Sequence, residues 1–130
     1  MSVGILLITH EGIGSALVAV ATQLMRTLPL RTEALEVPFA GDPDALLPLA
    51  SAALRLVDSG SGVLVLTDLY GATPSNLAAK LARLGTPVRR VSALSLPMLL
   101  RVMNYAELEL DELPAVAAAG ARNGVICDDA

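Results

Sequence analysis

The sequence predicts one α/β domain: an open, doubly wound, mainly parallel sheet in the order 2-1-3-4, with helices on both faces and a short C-terminal antiparallel strand. Three observations predict it. Two short stretches, Val3 to Thr9 and Gly62 to Thr67, are apolar almost throughout, the pattern of strands buried on both faces. Strand and helix patterns alternate along the whole chain, as in βαβ units. A length of 130 residues, 54% of them hydrophobic, suits one domain with its own core. Aromatic residues are only 2%, so that core must be built from Leu, Val, Ala, Ile and Met.

The first strand, Val3 to Thr9, is followed by His10-Glu11-Gly12 and a helix with Ile13, Leu17, Val20, Leu24 and Leu28 on one face. Pro29 ends that helix. The second strand, Thr32 to Val37, carries Glu33 and Glu36 and therefore suits a sheet edge. Asp42 reads as an N-cap with Pro43 at the first helical position. The second helix follows, with Leu46, Leu47, Leu49, Ala50, Ala53, Leu54 and Val57 as its apolar positions.

The third strand, Gly62 to Thr67, leads through Asp68-Leu69-Tyr70-Gly71-Ala72-Thr73 into a third helix. Thr73 reads as its N-cap and Pro74 as its first residue. The fourth strand, Val88 to Leu94, holds Arg89 and Arg90 and is less thoroughly buried. A fourth helix starts near Ser95-Leu96-Pro97, a fifth spans about Asp111 to Arg122, and Gly124 to Cys127 forms the final strand.

The two most apolar strands should be neighbours in the middle, and right-handed crossovers then give the order 2-1-3-4. Winding reverses between strands 1 and 3, so a crevice opens beyond their carboxyl ends. His10, the sole histidine, and Asp68 flank that crevice. A carboxylate that accepts one ring N–H fixes the tautomer and stabilises the ring cation that develops as the other nitrogen attacks. Phosphoryl or proton chemistry fits this pair. Backbone N–H groups at the starts of helices 1 and 3 would receive phosphoryl oxygens. Gly71 permits close backbone approach, and the hydroxyls of Thr73 and Ser75 add donors. Taken singly, each residue also has a structural reading: His10 and Asp68 as satisfied or capping groups, Thr73 as an ordinary N-cap, Gly12 and Gly14 as a tight turn.

Composition excludes other classes. A net charge of −4 argues against nucleic acid, which needs a basic patch. Cys127 is the only cysteine, so no internal disulfide forms and neither a metal site nor a cofactor is expected. No signal-peptide pattern and no apolar run of membrane-spanning length occurs, so a cytoplasmic protein without direct membrane insertion is expected.

Ile8-Thr9-His10-Glu11-Gly12, Asp68-Leu69-Tyr70-Gly71-Ala72-Thr73-Pro74-Ser75-Asn76 and Leu96-Pro97-Met98-Leu99 together resemble the mannose-class enzyme IIA domains of the bacterial phosphoenolpyruvate-dependent phosphotransferase system. The resemblance covers essentially the whole chain. It implies that His10 accepts a phosphoryl group from the phosphocarrier protein HPr and passes it to an enzyme IIB. It implies that Asp68 orients the histidine, and that Gly71, Ala72 and Thr73 form the phosphate loop. It also implies a homodimer whose C-terminal strand, Gly124 to Cys127, is exchanged between subunits. Ala72 departs from the family's frequent second glycine, and a position that needed positive φ would be strained there. No fused IIB domain follows, so transfer to a separate protein or a phosphorylation-dependent regulatory role is expected.

Rival readings are weaker. A receiver domain would be phosphorylated on Asp68, but Thr9-His10 stands where an acidic pair would bind magnesium. A histidine phosphatase needs an arginine before the histidine and a second histidine. An interaction module with an inert His10 remains the general alternative.

Overall fold

In a computed structural model, residues 2–129 are described. The strands are β1 (Gly4–His10), β2 (Thr32–Val37), β3 (Val63–Thr67) and β4 (Val88–Val91). The helices are α1 (Gly14–Met25), α2 (Pro43–Val57), α3 (Thr73–Leu81), α4 (Leu96–Met103) and α5 (Leu113–Asn123), the last preceded by a 3-10 turn at Leu110–Glu112. All four strands are parallel, in the order β2-β1-β3-β4. The expected order and switch point are therefore present.

Side chains alternate across β1 and β3 and divide the core into two layers. Ile5, Leu7, Leu64 and Leu66 face α1, α4 and α5. Leu6, Ile8, Val63 and Val65 face α2 and α3. All eight are fully buried, and each such aliphatic side chain contributes about 1.5–3 kcal/mol. Asp42 caps α2 by accepting the Asp44 N–H at 3.1 Å, with Pro43 at the first position as expected. Ser95 caps α4 by accepting the Met98 N–H. Among the described residues, no helix is long and apolar enough to cross a membrane.

Four expectations need correction. On α1, Val20 and Leu24 are 40% and 61% exposed, and Ile13 is also exposed. The inner face is instead Gly14, Leu17, Val18, Ala21 and Met25. This helix is apolar on two adjacent faces, and the face with the smaller residues lies against the sheet. Gly14 permits that approach, because a Cβ there would lie 3.0 Å from Thr9 Oγ1 and 3.4 Å from Ala34 Cβ. On α2, Leu49 is exposed, while Ala50, Leu54 and Val57 form the buried stripe.

The fourth strand ends at Val91 and does not reach Leu94. Ala93 takes φ 67°, outside the strand region. Leu94 still donates its N–H to Thr67 O at 3.0 Å, so the chain stays beside β3. Finally, Gly124 to Cys127 forms no strand. A strand requires a hydrogen-bonded neighbour, and within this single chain the segment lies exposed and unpaired.

Gly4 begins β1 directly beneath the end of α2: a Cβ there would run into the Val57 carbonyl. Gly4→Ala should therefore push α2 off the sheet and cost about 1–3 kcal/mol. In urea unfolding the midpoint should fall with the slope unchanged. An unmoved midpoint would show that α2 can slide away freely.

Candidate functional site

His10 is the last residue of β1, and Asp68 follows the last residue of β3. The parallel register pairs Ile8 with Thr67, which sets these two ends side by side. His10 Nδ1 lies 2.7 Å from Asp68 Oδ2. The backbone N–H of His10 donates to the same oxygen at 3.1 Å. Asp68 thus grips both the ring and the main chain of one residue. An ionised carboxylate can only accept, so Nδ1 carries the proton and Nε2 keeps its lone pair. The Asp68 side chain is 10% exposed and the His10 side chain 32%. The carboxylate is sheltered while the imidazole meets solvent. Asp68 Oδ1 is buried without a protein partner among the described residues.

Thr9 locks the other side of His10. Its buried hydroxyl donates to His10 O at 2.8 Å and accepts the Gly14 N–H at 2.9 Å. Glu36, on β2, accepts the Gly12 N–H through Oε1 at 3.1 Å and the Ser15 N–H through Oε2 at 2.9 Å. These bonds hold its carboxyl below the usual carboxylate range, with the Ser15 backbone bond the larger cause and Gly12 next. The expectation that α1 offers phosphoryl donors is therefore corrected. The amides of Gly12, Gly14 and Ser15 are already taken, and a carboxylate occupies the positive end of the helix dipole. The roles of Thr9 and Glu36 were not legible in the sequence. The available signal was Thr9 five residues before Gly14 at a strand-to-helix junction; for Glu36 only the sheet order provides one.

The start of α3 remains open. Its N-cap is Ala72, at φ −82° and ψ 174°, and Thr73 and Pro74 are its first two residues. Thr73 is thus inside the helix, one position later than expected. Ala72 has ordinary backbone geometry, so it replaces a glycine there without strain. The positive φ of 85° belongs to Gly71, around which a Cβ would find open space. The amides of Gly71 and Thr73 have no protein acceptor among the described residues. Ser75, also in this first turn, is buried. Gly71 and Ala72 end the loop that begins with Asp68, and Thr73 opens α3.

Cavities of about 490, 370 and 270 Å³ indent the surface among the described residues, and His10 lines none of these. The largest lies by Val3, Pro87 and Leu110, at the amino ends of the strands. Neither the loop after β1 nor the loop after β3 holds a lysine or arginine. The imidazole stands open at the surface.

Residues 4–118 match the family described as EIIA-man, PTS system fructose IIA component. The chain is 31% identical over 116 residues to the transcriptional regulatory protein LevR of Bacillus subtilis, across 83% of this chain but 12% of that protein. Its fold is similar to the mannose/sorbose-specific IIA subunit of the phosphotransferase system from Enterococcus faecalis, with TM-score 0.87 and 22% identity over 100% of this chain and 97% of that one. It is also similar to the phosphotransferase system component EIIA from Streptococcus agalactiae, with TM-score 0.82 and 18% identity over 96% of each chain.

Glu36→Gln should destabilise the fold at neutral pH. A carboxyl depressed by folding contributes stability above its unfolded value and loses it as pH falls through the folded one. The difference between the native chain and Glu36→Gln should therefore be full near pH 7 and vanish in acid. Thermal unfolding at stepped pH reads this directly, and equal melting temperatures at neutral pH would remove the clamp assigned to Glu36.

Proposed function

We propose that this chain, which belongs to the EIIA-man family of phosphotransferase-system components, carries a phosphoryl group on Nε2 of His10. HPr is the donor and an enzyme IIB the acceptor. The observation that carries this reading is the 2.7 Å contact between His10 Nδ1 and Asp68 Oδ2 at the open end of the sheet. With Nδ1 protonated and held, the Nε2 lone pair points away from Asp68 and is the free nucleophile.

The transfer balances simply. Nε2 attacks phosphorus, the Nε2–P bond forms, and the bond from phosphorus to the donor's imidazole breaks. That imidazole leaves with the electron pair. The ring of His10 gains positive charge, which the Asp68 carboxylate offsets. The unpaired amides at the start of α3 and the Thr73 hydroxyl receive the phosphoryl oxygens. Without a lysine or arginine in these loops, the group is held loosely enough to leave again. Transfer to the IIB protein is the same step in reverse. The carrier works in the cytoplasm, where a reducing thiol pool keeps the exposed Cys127 free.

The similarity to LevR favours a second destination for the phosphoryl signal. In that case phospho-His10 is read by a regulatory partner, and uptake of a sugar is not the output. Both destinations use the same site. We also infer a homodimer in which Gly124 to Cys127 of each copy adds to the other's sheet. Support comes from Val125 and Ile126, 74% and 73% exposed, and from the outer edge of β4, which pairs with no strand among the described residues.

Incubation with phosphoenolpyruvate, enzyme I and HPr should add one phosphoryl group by intact mass, and His10→Ala should abolish it. The product should be labile to acid and stable to base. A base-labile product surviving in His10→Ala would point to Asp68 as acceptor, and no gain at all would point to an interaction module. Asp68→Asn should slow transfer roughly 100-fold by releasing the tautomer, and an unchanged rate would refute its orienting role. In sedimentation the native chain should be a dimer at micromolar concentration, and a monomer would refute the exchange.

A further inference from the structure

A groove of about 370 Å³ runs between α3 and the outer strand β4. The sheet register decides which side chains enter it. Val88 stands opposite Val63, and Arg90 opposite Val65. Val63 and Val65 face α2 and α3, so Val88 and Arg90 project to that face too. Arg89, between them, turns to the other face and meets Asp111 at 2.9 Å. Just past β4, Ser92 Oγ is hydrogen-bonded to Thr67 Oγ1 at 2.9 Å. The volume lies within the range of small-ligand clefts, about 300–1,000 Å³.

The lining is cationic and rich in hydroxyls, and it includes no carboxylate. Arg90 is exposed and has no ion pair among the described residues. Its planar fork of donors matches the oxygens of a phosphate. Thr67 and Ser92 spend one hydrogen on each other, which leaves one O–H and several lone pairs for a ligand. Ser75, 9% exposed, adds a third hydroxyl from α3. Ala78 and Val88 supply apolar surface beside these groups. Tyr70, 83% exposed, completes the lining from the loop before α3.

We propose that this groove binds a small phosphorylated polyol, of the size of a hexose monophosphate. Arg90 takes the phosphate, and the hydroxyls of Thr67, Ser75 and Ser92 exchange hydrogen bonds with those of the polyol. The ring of Tyr70 covers the carbon face of the ligand. Inorganic phosphate would satisfy Arg90 but leave most of the groove unfilled. The site uses neither His10 nor the amides at the start of α3, so it stands apart from the transfer chemistry proposed above. A strand added to the outer edge of β4 would bond in the plane of the sheet and leave this face in place. Thr67 and Tyr70 flank Asp68 in the chain, so an occupant bears on the loop that Asp68 begins.

Isothermal titration calorimetry of the full chain tests this, with circular dichroism melting as a check on the fold of each variant. The probes are glucose 6-phosphate, glucose, inorganic phosphate and gluconate. Glucose 6-phosphate should bind about tenfold or more tightly than each of the others. R90Q should weaken its binding about tenfold, and S92A and Y70A should each weaken it severalfold. R31Q, at the opposite end of the sheet, should leave it unchanged. No binding of glucose 6-phosphate would overturn the proposal, and so would binding indifferent to R90Q, which would place the ligand elsewhere. Inorganic phosphate bound as tightly would overturn the polyol part, and gluconate bound as tightly would overturn the choice of phosphate.

Discussion

The two hydrogen bonds that Asp68 Oδ2 accepts from His10, one from the ring and one from the backbone, hold the carboxyl ends of β1 and β3 as one unit. A side chain that reaches only the ring would leave the imidazole free to swing with its loop. Gripping the main chain as well fixes the histidine's base and its ring with the same oxygen. Such a contact is available only because these two strands are adjacent, parallel and in the register that aligns Ile8 with Thr67. The burial of eight aliphatic side chains on their two faces maintains that register, since a slip of one residue would turn each layer toward the wrong helices.

Around this pair the two helix starts have been assigned opposite tasks. At α1 the amides of Gly12, Gly14 and Ser15 are consumed by Glu36 and by Thr9, so that end acts as structure and holds the chain after His10 in place. At α3 the amides of Gly71 and Thr73 remain unpaired by protein, so that end is available to an anion. The difference is not visible from the helices themselves. It comes from β2, whose edge position lets Glu36 reach across to the neighbouring loop. An acidic residue that reads as mere edge polarity is in fact the cap that occupies the Gly12 and Ser15 amides on one side of the crevice.

Openness is the other feature that decides function. His10 lies at the exposed end of the sheet, between groups that fix it and loops that carry no lysine or arginine. The fold supplies rigidity beneath the imidazole and leaves the space above it open.

Much of this was written in the chain. Strands apolar throughout must be covered on both faces, so their centrality, the order 2-1-3-4 and the meeting of His10 with Asp68 followed from the sequence. Asp42, beside Pro43, and Ser95, two residues before Pro97, marked where helices begin, because capping is a local property. What the sequence left open was anything set by contact between distant elements. On α1, two apolar faces satisfied the same period, and only the close fit of Gly14 and Ala21 on the sheet chose between them. Strand 4 looked longer than it is, because the turn at Ala93 is imposed by the return of Leu94 to Thr67. The role of Glu36 and the absence of a final strand in the single chain depend on which edges lie next to which. Periodicity and caps are encoded within a few residues. Hydrogen-bond partners separated by 21 or 58 positions are decided only when packing brings the segments together.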